Sequence, residues 1–104
     1  MEILTAEHNA YVEAIMWEHP DVSHIWLGAT DLMTTGTWFW ATSDIAVDDG
    51  FTFWGPGEPT EWYNGRPESC MQFRLDTRRW NDDTCDAKWP FICQKPLNTI
   101  MIGK

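Results

Sequence analysis

A chain of 104 residues has room for one domain, since compact domains run to roughly 100–200 residues. Sixteen Asp and Glu against seven Lys and Arg give a net charge of −9, which argues against nucleic acid as a partner because phosphate backbones would repel it. No apolar run approaches the roughly 20 residues of a membrane span, and Glu2, Glu7, Glu13 and Glu18 break any basic-then-apolar leader pattern, so neither membrane insertion nor a signal peptide is expected.

Residues 5–18 read as an amphipathic helix, with Thr5 as N-cap and Ala10, Tyr11, Ala14, Ile15 and Met16 on the apolar side. Pro20 lacks an amide hydrogen and pushes His19 out of helical geometry, so the helix stops by residue 19. From Ser23 onward, short β-branched and aromatic segments alternate with Gly, Pro, Asp and Asn, which predicts strands near 24–29, 37–41, 70–75, 78–82 and 90–94. Met71, Phe73 and Leu75 alternate with Gln72, Arg74 and Asp76, as in a strand with one buried face. Eight Trp and five Phe supply the core, to which Trp26, Trp38, Trp40, Trp54, Trp80 and Trp89 are assigned. Trp62 is left open between loop packing and ligand contact.

The stretch 42–69 reads as one long loop, and a loop of that length in a small domain is normally functional. The tail 96–104 lies past the last expected strand, and its Leu97, Ile100, Met101 and Ile102 have no assigned place. Cys70, Cys85 and Cys93 make an odd count with no close pair, which fits structural zinc poorly. No enzyme is expected either. His8, His19 and His24 lie away from the acidic loop in sequence and read as surface or strand-end residues, and neither G-x-S-x-G nor H-E-x-x-H occurs.

Taken in order, Ile25-Trp26-Leu27-Gly28, Trp38-Phe39-Trp40, Trp54, Gly57-Glu58-Pro59, Glu68-Ser69-Cys70, Trp80-Asn81-Asp82, Cys85 and Phe91-Ile92-Cys93 resemble the C-type lectin-like domain over residues 1–95. The resemblance implies an α+β fold with one retained helix, small antiparallel sheets and a long calcium-binding loop. The family's first strand and first helix would be absent, an N-terminal truncation that leaves Cys93 without its partner and the last strand with an open edge. It also implies a Cys70–Cys85 bridge, which closes about 15 residues and contributes about 3 kcal/mol in a chain-entropy picture. Such bridges persist outside the cell, so a secreted protein or an ectodomain is expected.

By the same resemblance Glu58, Glu68, Asn81 and Asp82 are the metal ligands, with Thr60 and Trp62 joining them in carbohydrate contact and a cis peptide bond before Pro59. The residue chemistry agrees, because calcium takes six to eight hard oxygen donors and three carboxylates set −3 against its +2. Open positions on the ion would accept two neighbouring sugar hydroxyls. Glu58-Pro59-Thr60 stands where mannose-type relatives carry Glu-Pro-Asn and galactose-type relatives Gln-Pro-Asp. Thr60 is shorter than Asn and has no amide to donate, which lowers the expected affinity. Glu58 favours mannose or fucose, whereas Trp62 after the motif points toward galactose; mannose or fucose is the expected class. A second calcium position would draw on Asp31, Thr35, Glu61, Glu68 and Ser69, a weak set with two hydroxyls. Weak single-site affinity calls for multivalent assembly. The alternative is a module of the same fold that binds protein or mineral surfaces without sugar.

Overall fold

Thr5 caps helix α1 (Ala6–Glu18), its hydroxyl accepting the His8 amide at 3.0 Å, and the chain leaves the helix at His19, just before Pro20. The computed structural model describes residues 1–63, 65–94 and 100–103. The helix buries Asn9, Val12 and Met16 and packs Ile15 against the core, so Met16 and Ile15 face inward as expected, whereas Ala10, Tyr11 and Ala14 are exposed and Asn9 and Val12 complete the inward face. The reason is a polar core contact: the Trp80 indole N–H donates to Asn9 Oδ1 at 3.0 Å and draws that side of the helix inward. Tyr11, with a phenol that favours water, takes the outer side.

Among the described residues the strands that follow are β1 (His24–Thr30), β2 (Phe39–Trp40), β3 (Trp62–Tyr63), β4 (Arg66–Pro67), β5 (Cys70–Arg74), β6 (Arg79–Asp83), β7 (Phe91–Gln94) and β8 (Ile100–Gly103). The main sheet runs β6-β5-β1-β7-β8, with β2 also on β1, and β3–β4 form a separate hairpin. Its pairs are antiparallel except β1–β7. The architecture is the α+β arrangement expected, with one helix and small sheets.

Two regions carry more structure than the sequence reading gave them. The long loop holds a 3₁₀ turn at Val47–Asp49 and the β3–β4 hairpin. The apolar tail supplies β8, which pairs antiparallel with β7 in the register Ile92↔Ile102 and Gln94↔Ile100. An uncovered strand edge presents a row of unpaired N–H and C=O groups, and this segment satisfies them on β7. The edge expected to be open is therefore covered. Cys93 lies on β7, and its side chain is outside those described.

Burial alternates along β1, sending Ile25, Leu27 and Ala29 inward and His24, Trp26 and Gly28 outward. The core joins these inward residues to Val12, Met16, Met71, Phe73 and Trp80. Trp80 meets Trp40 edge-on at 5.7 Å and Trp54 at 6.0 Å. Trp26 and Trp89 are not core residues as expected: strand alternation turns Trp26 outward, and Trp89 stacks on His24 at 4.0 Å. Cys70 and Cys85 are bridged. Among the described residues no helix is long and apolar enough to cross a membrane.

Candidate functional site

Trp80 is fully buried, and the two residues after it on β6, Asn81 and Asp82, are thereby fixed at the mouth of a cleft. The incoming loop is stitched to the same strand, with the Trp80 amide donating to the Phe53 carbonyl and the Gly55 amide to the Trp80 carbonyl, both at 2.9 Å. This loop then passes through a cis Glu58–Pro59 peptide bond, as expected. The Glu68 amide donates to the Glu61 carbonyl at 2.8 Å and closes the loop just before β5. Glu58, Thr60, Glu68, Asn81 and Asp82, which lie in three separate stretches of sequence, line one open cleft of about 410 Å³.

Asp82 is the anchor of the cluster and is 1% exposed. Its Oδ1 accepts the Thr60 amide at 3.0 Å and its Oδ2 accepts the Glu61 amide at 2.5 Å. The Thr60 hydroxyl stands between two carboxylates, 2.5 Å from Glu68 Oε1 and 3.0 Å from Asp82 Oδ1. It has one proton and can donate to only one of them at a time. Asn81 donates its amide to the Asp82 carbonyl at 3.1 Å, leaving its own Oδ1 free of the strand. Glu58 Oε1 and Asn81 Oδ1 are both buried with no hydrogen-bond partner among the described residues. Buried acceptors without donors are costly, so these oxygens suit a hard cation. Among the described residues, no three His, Cys, Asp or Glu side chains already converge on one point as a finished metal cage.

The crowded carboxylates hold protons unusually well. Burial, then hydrogen bonding to Asp82, then the charges of Asp82 and Glu68 push Glu58 up to about 7. Burial also raises Glu68, with Asp82 and Asp83 adding to it and the Thr60 hydroxyl opposing. Between 4.5 and about 7 folded Glu58 keeps a proton that the unfolded chain has released, so its contribution to stability falls as pH rises through that window. His24, lowered from 6.5 by burial and then by the charge of Arg74, works in the opposite sense below 6.5, so a Glu58→Gln variant provides the reference. Relative to that variant and without divalent cations, the protein should lose about 1 kcal/mol between pH 5 and pH 8 after allowing for solvent screening, about 4 °C in Tm. Parallel thermal melts check this, and superimposable pH profiles would contradict a shared-proton cluster.

Residues 1–95 match the lectin C-type domain family. The chain belongs to that family. It is 37% identical over 75 residues to rat C-type lectin domain family 10 member A, a match covering 69% of this chain and 23% of that protein. It is 34% identical over 83 residues to rat asialoglycoprotein receptor 1, covering 77% and 28%. The chain thus spans about a quarter of the length of these relatives. The crystal structure of the C-type lectin CEL-I from Cucumaria echinata superposes with a TM-score of 0.71 at 29% identity, covering 84% of this chain and 60% of that one. C-type lectin domains are binding modules rather than enzymes.

Other expected positions divide. Trp62 stands 57% exposed on β3 and is not among the residues lining the cleft. The second set, read from sequence as too weak for a strong ion, is represented by Asp31 and Glu61. Asp31 is 2% exposed, its Oδ2 accepts the Gly36 amide at 2.9 Å, and its Oδ1 has no partner among the described residues. Gly36 has φ +85, and a Cβ there would stand 2.9 Å from Glu61 Oε1, so glycine is what lets Glu61 approach this turn. Thr35 is exposed. One wall of the first cleft is not apparent from the sequence: Gln72, Arg74 and His24 extend it along the outer face of the sheet. His24, set apart from the acidic loop by sequence, is brought to the cleft by pairing with Arg74.

Proposed function

We propose that this C-type lectin domain binds carbohydrate through a calcium ion held by Glu58, Glu68, Asn81 and Asp82. The observation that supports it most is the pair of buried acceptors without donors, Glu58 Oε1 and Asn81 Oδ1, beside the carboxylates of Glu68 and Asp82. Asn81 offers a neutral amide oxygen, and the Asp82 backbone carbonyl offers another. Thr60, through its hydroxyl, keeps the Glu68 and Asp82 carboxylates spaced. Bound calcium supplies coordination positions for two neighbouring sugar hydroxyls. The carboxylates accept the protons of those hydroxyls in charge-assisted hydrogen bonds, which select an alcohol pair over a single polar group.

Mannose or fucose is the sugar class we assign, on Glu58 as the first residue of the loop motif. The likeness to asialoglycoprotein receptor 1, named for a glycoprotein, supports a glycan-bearing partner. The disulfide supports an extracellular setting, as a secreted protein or an ectodomain. Single-site affinity is about millimolar, about −4 kcal/mol, so useful retention depends on several copies acting together.

Chromatography on immobilised mannose with millimolar calcium tests the assignment. The chain should be retained, and a calcium chelator or free mannose should elute it. Retention that survives the chelator would remove the ion from the mechanism. No retention on mannose or fucose, together with binding to protein or mineral that free sugar leaves untouched, would favour the non-sugar reading.

A further inference from the structure

The outer face of the main sheet is organised in rows by strand register. Asn81 pairs with Gln72 across β6 and β5, and Gln72 with Trp26 across β5 and β1. The next row outward pairs Arg79 with Arg74 and Arg74 with His24. Directly opposed residues share a face, and rows two residues apart along a strand are separated by roughly 6.8 Å. The acidic cluster meets the first row at Asn81, and the same cleft continues to Gln72, Arg74 and His24.

Gln72 is the unexpected member of this wall. It is 3% exposed, and its Oε1 has no hydrogen-bond partner among the described residues although it lines the cleft. Arg74 commits Nε and Nη2 to Asp76, at 3.0 and 2.7 Å, so that among the described residues Nη1 is uncommitted and the guanidinium charge is partly balanced. His24 is held by the Ser23 hydroxyl at 2.7 Å and by stacking on Trp89 at 4.0 Å. The wall therefore offers a buried acceptor, planar donors and a fixed ring, with its cation already partly balanced by Asp76.

We propose that Gln72, Arg74 and His24 form a second sugar subsite, which takes the neutral residue adjacent to the one held at the acidic cluster in an oligosaccharide. Gln72 Oε1 accepts a hydroxyl proton from that residue, and Arg74 Nη1 donates to one of its oxygens. Because Asp76 already partly balances Arg74, the subsite favours a neutral hexose over a uronic acid or sulfated sugar. This inference rests on the carbohydrate reading above and extends it from a monosaccharide to its neighbour.

Titration calorimetry of the full chain in millimolar calcium, with methyl mannoside and mannobiose as probes, tests it. The parent should bind the disaccharide about tenfold more tightly than the monosaccharide. Gln72→Leu and Arg74→Met should each bring that ratio to within about twofold, because the disaccharide loses far more affinity than methyl mannoside does. Thermal melts identify a variant that fails to fold, in which case the other decides. A parental ratio near one, or a ratio unchanged in the folded variants, overturns the subsite and leaves the first site standing. Absence of methyl mannoside binding by the parent overturns the mannose assignment on which the subsite rests, and the subsite with it.

Discussion

Glu68→Gln should weaken calcium binding by about 100-fold or more while leaving the calcium-free fold at least as stable as the parent. Two observations on the same residue set these opposite signs. Glu68 is 8% exposed and its charge is disfavoured by burial and by the nearby charges of Asp82 and Asp83. Gln removes that charge but keeps an oxygen for the Thr60 hydroxyl, which lies 2.5 Å from Glu68 Oε1. The fold thus loses a repulsion, and a cation loses a negative ligand.

Asp82→Asn makes the contrast. Its two oxygens take the amides of Thr60 and Glu61, so an Asn would set its own N–H₂ against one backbone donor. A buried donor left unpaired costs about 1–3 kcal/mol, and this variant should lose stability as well as calcium. Calcium titration calorimetry and melts without calcium read both quantities. Parental calcium affinity in Glu68→Gln would mean that the acidic cleft is not where the ion sits.

How much of this was legible in the sequence depended on whether a residue's role was local or set by long-range pairing. Thr5 and Pro20 bounded the helix correctly because capping and the missing proline amide act over a few residues. Met16 and Ile15 were placed on the inward helix face correctly, but Tyr11 was put there in place of Asn9, which is drawn inward by Trp80, 71 positions away, a contact no local spacing reports. The strand of Met71 and Phe73 was found by alternation, yet alternation also marked Gln72 as solvent-facing. Gln72 is instead 3% exposed in the wall of the cleft, flanked in register by Trp26 and Asn81, a placement set by long-range strand pairing. The tail failed for a related reason: Ile100–Gly103 is too short to declare itself as a strand, and only the open edge of β7 gives it a partner. The acidic cluster was found through its ordered motif, since Glu58 and Asp82 are 24 residues apart and composition alone cannot bring them together.

Trp80→Ala should be the most damaging single change in the chain, at about 3–5 kcal/mol, against a total stability of about 5–15 kcal/mol for an ordinary domain. The indole is fully buried, meets Trp40, Trp54 and Phe51 edge-on, and donates to Asn9 across the helix–sheet boundary. Alanine would leave a cavity and remove the donor from a buried amide oxygen at the same time. Trp80→Phe separates the two effects, since it retains much of the packing and lacks the N–H, and should cost about 1–3 kcal/mol for the orphaned Asn9. Adding Asn9→Leu to Trp80→Phe should recover part of that loss, giving a measurable coupling energy in a double-mutant cycle by urea unfolding. Because Asn81 and Asp82 follow Trp80 on the same strand, calcium affinity should fall in Trp80→Phe when the strand loses its anchor, and return with the rescuing change. Additive costs in the cycle would mean that the Trp80–Asn9 bond does not fasten the helix to the strand that bears the site.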